Sequence, residues 1–374
     1  MVDLPRAGYR ESQLVQAHGH ARPEFAGKRR FAAAMVSAQK QAGDCYKAGV
    51  SFDQPRAPVV IDRVLSDPSV VRELLLRGAP YWTVQRYVKN LSEMASLSDA
   101  GKRGQKDRPM FIAPWFRGDW AYGEPLVDGV ELFLEHDAFR DAAQQMFHDA
   151  RIVPQIVYVN LNPPIARVDP GHVDIPAFRG IERTQYPVWL LATMLKSGLF
   201  DRWYVPSVTA VSWYYEGEGG GFTYWPKGPD EAPVQRPCIS NSAVVGDNDY
   251  MFHRVEAVGP DERTLPKGLT LDSRLCWGGD YWEVLERGQV CARYPFEEVR
   301  VSVSWKAQVF SDAEQQALYE NHEDDLTLEQ VVDAFLGDLA AKDQPVEPPA
   351  DPLHDRNFVE ALNAAYHRAP TVWE

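Results

Sequence analysis

The sequence predicts an α+β chain whose core is a β-sandwich or jelly roll, and three observations carry that reading. Between about residues 152 and 310, short β-rich runs alternate with Gly, Pro and Asp at fairly even spacing, as in layered all-β folds. On both sides of this zone the apolar residues recur at helical spacing instead. One late run, Arg300-Val301-Ser302-Val303-Ser304-Trp305, puts every polar side chain on one face of a strand and every apolar one on the other.

Taken in chain order, residues 68–76 and 130–146 carry apolar side chains at helix spacing, and 98–108 reads as an exposed loop. Residues 1–150 are therefore expected to form a mainly helical region packed on the core. The β-rich zone, 151–310, opens with the run at 155–162. A helix at 187–195 should lie outside the sheet. Residues 214–226 read as strand, turn and strand. Their glycines invite a phosphate loop, but no Lys-Ser/Thr follows and no helix start supplies amides. Residues 246–255 read as a further strand, and 274–293 as an inserted hairpin turning at Gly278-Gly279. In the last zone, 311–374, Thr327-Leu328-Glu329-Gln330 resembles a capping box opening an amphipathic helix through Leu339. A Pro- and Asp-rich linker at 344–352 then leads to a helix at 358–366.

Composition excludes several classes. A chain of 374 residues, 45% hydrophobic, buries a substantial core. Its net charge of -14 argues against phosphate-backbone binding, and basic clusters such as Lys28-Arg29-Arg30 are isolated. No apolar run approaches the roughly 20 residues that span a bilayer, and the polar start is no signal peptide, so a cytoplasmic protein is expected. Cys45, Cys238, Cys276 and Cys291 form no Cys-x-x-Cys pair and read as free thiols, with Cys276 and Cys291 possible neighbours across the hairpin.

The chemistry begins at Gly171-His172-Val173-Asp174. On extended backbone His172 and Asp174 share a face while Val173 points away, so together they can grip one metal ion. His253 is the candidate third ligand. Two histidines and a carboxylate make a facial triad that leaves positions open for oxygen and a co-substrate on Fe(II). A second His-x-Asp, His322-Glu323-Asp324, sits among Glu320, Asn321 and Asp325 and reads as a solvated acidic turn. On the polar face at 300–305, Arg300 offers a planar fork for a carboxylate and Ser302 a hydroxyl to the same oxygens. A wet edge strand is the bland alternative.

In that order across a β-rich zone, His172-Val173-Asp174, His253 and Arg300-Val301-Ser302 resemble the Fe(II)- and 2-oxoglutarate-dependent dioxygenases. The resemblance spans about residues 155–310 and implies a double-stranded β-helix of cupin type; the flanking helices at both ends, read from apolar spacing, are not diagnostic of it. It implies that His172, Asp174 and His253 bind Fe(II), and that Arg300 with Ser302 anchors the far carboxylate of 2-oxoglutarate. One departure is the spacing. The family's arginine usually follows the distal histidine closely, whereas Arg300 lies 47 residues beyond His253 (300 − 253). Arg263, 10 residues beyond it (263 − 253), has the better spacing but a loop-like neighbourhood; Arg254 should point to the opposite face. Arg300 is preferred, with the hairpin at 274–293 as the insertion.

For substrate, Tyr224 and Trp225 beside the glycine turn either line a pocket or pack in the core, and Arg179 either meets an acidic substrate group or forms a surface ion pair. The expected partners are O2 and a small molecule, with neither nucleic acid nor membrane. Hydroxylation is the default outcome, since Asp174 fills the position that a halogenating relative leaves to halide. A cupin-like isomerase or hydrolase without 2-oxoglutarate and a non-catalytic jelly-roll module are the alternatives. The helical flanks either close over the barrel mouth or build a homodimer interface.

Overall fold

The computed structural model describes residues 55–87, 114–166, 171–260 and 266–366. Lys28, Arg29, Arg30, Cys45, Arg263 and the expected loop at 98–108 lie outside the described residues.

The described strands are β1 (Val59–Ile61), β2 (Tyr81–Thr83), β3 (Phe116–Tyr122), β4 (Glu124–Pro125), β5 (Arg151–Asn162), β6 (Ala177–Phe178), β7 (Tyr204–Val205) and β8 (Ser207–Trp213). They continue with β9 (Phe222–Tyr224), β10 (Val234–Arg236), β11 (Ser242–Gly246), β12 (His253–Val255), β13 (Arg274–Trp277), β14 (Trp282–Glu286), β15 (Gln289–Tyr294) and β16 (Arg300–Phe310). The helices are α1 (Val70–Gly78), α2 (Glu131–Leu134), α3 (Asp137–Met146), α4 (Val188–Ser197), α5 (Ala313–Glu320), α6 (Leu328–Ala341) and α7 (Arg356–Tyr366).

Two sheets hold the core. In an eleven-stranded sheet β11, β8, β16 and β5 are consecutive antiparallel neighbours. A small sheet has the order β10-β9-β12, and His172 extends it by bridging His253, each backbone N–H donating to the other's carbonyl at 2.9 Å. Along the chain, the strands therefore pass from one layer to the other: β5 in the large sheet, the His172 segment in the small, β8 in the large, β9 and β10 in the small, β11 in the large, β12 in the small and β16 in the large. This interleaving of antiparallel layers is a double-stranded β-helix. Trp213, Phe222, Tyr224, Val244 and Met251 pack between the layers.

Alternation along the two longest strands decides which face does what. Val157, Val159 and Leu161 on β5 and Val301, Val303 and Trp305 on β16 join one apolar cluster with Val71, Leu74 and Leu75 of α1, Phe133 of α2 and Phe139 of α3. Of these, α1 (Val71, Leu74, Leu75) and α3 (Phe139, Ala142, Ala143) present residues at i, i+3 and i+4 to the sheet. The Trp305 indole N–H donates to the Leu134 carbonyl at the end of α2, 3.0 Å away, which satisfies this buried side chain. The opposite face of the same strands carries Asn160, Asn162, Arg300, Ser302, Ser304 and Lys306, in register Arg300↔Asn162 and Ser302↔Asn160. The polar face that the sequence presents on β16 thus turns inward, away from the helices.

The helices expected at 187–195, 327–339 and 358–366 form α4, α6 and α7. Thr327 and Gln330 make the capping box of α6, each side chain bonding the other's backbone N–H. The hairpin β13-β14 turns at Gly278-Gly279 as expected, and β15 extends it. Cys276 pairs with Glu283 while Cys291 lies on β15, one strand further, and both thiols are free.

Two expectations are corrected. The first 150 residues are not mainly helical in their described part, because β1 joins β11 and β3 joins β5 in the large sheet. Strands of three residues are too short to show a period of two, and the alternation in β3 is interrupted by an irregularity between Asp119 and Ala121. The run at 246–255 is not one strand. It breaks at Asp247-Asn248-Asp249, where the N–H groups of Tyr250 and Met251 fold back onto the Asp247 carbonyl at 3.0 and 2.7 Å.

Candidate metal centre

The backbone of two neighbouring segments brings the three candidate ligands together. Gly171 adopts φ +89°, and a Cβ there would lie 2.5 Å from the Phe252 ring, so only glycine lets the segment run this close to β12. His172 then sits directly across from His253, with ring centroids 4.5 Å apart. Asp174 is fixed two residues on by its own N–H, which donates to the Asn248 carbonyl at 2.7 Å. One ligand atom from each of His172, Asp174 and His253 falls within 4.8 Å of the others. Asp174 Oδ1 lies 4.0 Å from His253 Nε2.

Neighbouring groups prepare these ligands for a cation. His253 Nδ1 lies 2.9 Å from the Met251 carbonyl, which can only accept, so Nδ1 carries the proton and Nε2 presents its lone pair. Burial pushes Asp174 up, but the Lys306 ammonium and then the two histidines outweigh it, holding the carboxyl well below its ordinary range. Asp174 is an anion ready to ligate. Its Oδ2 accepts from Thr209 Oγ1 at 3.0 Å and pairs with Lys306 Nζ at 2.7 Å. His253 is buried and His172 exposed, which leaves the His172 side open to incoming molecules. Two imidazoles and one monoanion at this spacing suit a divalent transition metal with open positions.

Further along β16, Arg300 is only 1% exposed. Its Nε donates to the Gly220 carbonyl at 2.7 Å, and Nη1 donates to Asn162 Oδ1 and Ser302 Oγ, both at 3.2 Å. Nη2 is buried with no well-aligned hydrogen-bond partner among the described residues, and the Cys238 thiol beside the guanidinium offers at most a weak acceptor. Gly220 has φ +68°, and a Cβ on it would meet the arginine stem at 2.6 Å, so the glycine turn is shaped around this side chain. Burial pushes the guanidinium's pKa down, opposed by Cys238 and Tyr215 beside it. A buried cation with a free N–H is costly unless an anion completes it.

Of the residues read as substrate contacts, Tyr224 lies across from His253 in register and Trp225 packs edge-on against Phe252, both nearly buried. They form wall rather than open surface. Arg179 is elsewhere engaged: Nε and Nη2 grip Asp324 at 2.6 and 3.0 Å, and Nη2 also donates to the Arg202 carbonyl at 2.6 Å. It ties the segment before α6 to the core, which the exposed look of the His322-Glu323-Asp324 turn concealed. Its guanidinium is engaged in that tie. Thr209, Lys306, Asn162 and Gly220 were not singled out from sequence. Lys306 had a signal, since it continues the series Arg300, Ser302, Ser304 at intervals of two.

No family model matches this chain, and no curated protein matches it. Solved structures similar to it include an oxidoreductase of the 2OG-Fe(II) oxygenase family from Burkholderia pseudomallei, at 11% identity over 79% of this chain and 96% of that one, with a TM-score of 0.34. A prolyl hydroxylase from Trichoplax adhaerens, in complex with a hypoxia inducible factor peptide, shares 12% identity over 78% and 94% of the two chains, TM-score 0.35. A Pseudomonas putida prolyl-4-hydroxylase shares 13% over 74% and 98%, TM-score 0.33. Likeness at this level carries no weight for activity, which rests on the side chains described above.

Proposed function

We propose that this chain is a non-haem Fe(II)- and 2-oxoglutarate-dependent oxygenase that hydroxylates a small molecule with release of succinate and CO2. The observation that carries the reading is the pairing, within one barrel, of the His172, Asp174 and His253 cluster with a buried arginine whose Nη2 meets no hydrogen-bonding oxygen or nitrogen among the described residues. A metal alone would account for the first. An anionic co-substrate accounts for both.

His172, Asp174 and His253 would hold Fe(II), which when bound with 2-oxoglutarate and O2 supplies the oxidising chemistry. Arg300 and Ser302 would bind the far carboxylate of the keto acid, with Asn162 and the Gly220 carbonyl holding the guanidinium in place beforehand. Tyr224 and Trp225 would shape the apolar wall beside His253 that positions a substrate carbon. Asp174 occupies the carboxylate position, so oxygen insertion rather than halide transfer follows. A cupin-like isomerase or hydrolase would use the triad but leave Arg300 Nη2 without a purpose. No helix among the described residues is long and apolar enough to cross a membrane, and the free thiols suit the cytoplasm as its compartment.

Anaerobic titration tests the proposal. Fe(II)-loaded protein should develop a visible charge-transfer band on addition of 2-oxoglutarate, as chelation of ferrous iron by a 2-oxo acid requires, and no band on addition of succinate. A protein that binds Fe(II) but develops no band with 2-oxoglutarate favours the cupin-like reading.

A further inference from the structure

Two donors from adjacent strands converge on one oxygen of Asp174. Thr209 on β8 and Lys306 on β16 are cross-strand partners in register, and both reach Oδ2, at 3.0 and 2.7 Å. Neither touches the other oxygen, Oδ1, which faces His253 Nε2. A carboxylate oxygen has two lone pairs in its plane, and these two contacts use both. The lysine is no surface residue: its side chain is 17% exposed, on the inward face of the barrel strand that also carries Arg300 and Ser302. A buried ammonium is expensive, so its partner must repay it.

We infer that Lys306 and Thr209 are positioning residues that keep Asp174 a single-oxygen ligand, by occupying Oδ2 and leaving Oδ1 alone to the metal. The inference deepens the metal assignment and rests on it. Its consequence is a count of positions. In a six-coordinate site, three protein atoms leave about three positions, enough for a 2-oxo acid bound through two oxygens and for O2. A carboxylate bound through both oxygens would leave about two, and the keto acid would fill them. Lys306 and Thr209 thereby protect the oxygen position. The backbone bond from Asp174 N–H to the Asn248 carbonyl fixes where the side chain starts but not how its carboxylate turns.

Counting water on a bound metal tests this without catalysis. Mn(II) is loaded in place of Fe(II), and line broadening of its electron paramagnetic resonance in 17O-enriched water reports how many waters it holds. Wild type should hold about three and the Thr209→Val/Lys306→Met double variant about two, a loss of about a third of the broadening. Lys306→Met and Thr209→Val singly should each fall between, and Lys306→Arg, which retains a charged donor, should stay at the wild-type count. If the double variant binds Mn(II) and keeps the wild-type count, or wild type already holds only two waters, the inference is overturned while the metal assignment stands. If wild type binds no Mn(II), the metal assignment itself falls and takes the inference with it.

Discussion

Replacing Arg300 by glutamine should remove most of the affinity for 2-oxoglutarate while leaving metal binding intact. Three contacts, to Gly220, Asn162 and Ser302, already orient the guanidinium, and Nη2 is the buried donor left over. A charge-assisted hydrogen bond to a carboxylate contributes about 1.5–3 kcal/mol, which is roughly a 10- to 150-fold weaker Kd when it is lost. The loss is larger if the carboxylate then stays buried without a counter-charge. Glutamine keeps a donor near the Gly220 carbonyl, so the glycine turn has a partner. The assay is calorimetric titration of 2-oxoglutarate into Mn(II)-loaded protein under argon, with Mn(II) affinity measured separately. Arg263→Ala is the control, because that arginine competes for the role on sequence spacing. Unchanged 2-oxoglutarate binding in Arg300→Gln, or its abolition in Arg263→Ala alone, would refute the reasoning.

Other consequences are open to measurement. His172→Ala and His253→Ala should each weaken Fe(II) binding at least tenfold, as removal of one ligand of three requires, and wild-type affinity in both folded variants would show the triad to be misassigned. Burial pushes the Asp249 carboxyl up to about 7, although Tyr204 and Ser207 donate to it. A raised acid is most favourable to folding below its unfolded value and loses that contribution as pH rises through the folded one, here from about 4 to about 7. Thermal melts of wild type should therefore lose stability relative to Asp249→Asn across that window, by roughly 4 kcal/mol at most, and parallel curves would contradict this. Cys238 lies beside Arg300, so 2-oxoglutarate with Mn(II) should slow its alkylation, as read by peptide mass spectrometry, and leave exposed Cys291 unaffected. Arg179→Met breaks a nearly buried pair with Asp324 and should destabilise the fold by about 3–5 kcal/mol without altering metal affinity.

What the sequence revealed and what it hid divide along physical lines. The faces of β16 could be read because polar and apolar residues alternate strictly from Arg300 to Trp305. The helices α4 and α6 could be read for the same reason, and α6 also through its capping box. The His172 and Asp174 pair was visible because their spacing of two places both on one side of an extended segment. His253 was found as a residue type on an apolar run, although the run itself is not one strand. Asp247, Asn248 and Asp249 read as part of one strand, yet they form a buried turn, in which Arg56 reaches Asp247 while Tyr204 and Ser207 reach Asp249 from segments distant in sequence. Arg179 was hidden in the same way, since its partner Asp324 is 145 residues away. Long-range pairing of polar groups leaves no periodic trace. Short strands such as β1 and β2 leave none either, since their pairing partners, not their own three residues, hold them extended.

The most direct test of the oxygenase assignment is the fate of 18O2 in a reaction with Fe(II) and 2-oxoglutarate. Loss of CO2 from 2-oxoglutarate leaves a four-carbon fragment one oxygen short of succinate, so succinate made by this route must gain one atom from O2. Wild type should yield succinate carrying a single 18O, even at the slow rate expected without its substrate, and Asp174→Ala should lose most of that product. Iron-loaded wild type that forms no labelled succinate, alone or across a broad library of small molecules, would contradict the assignment and leave a metal site of another kind.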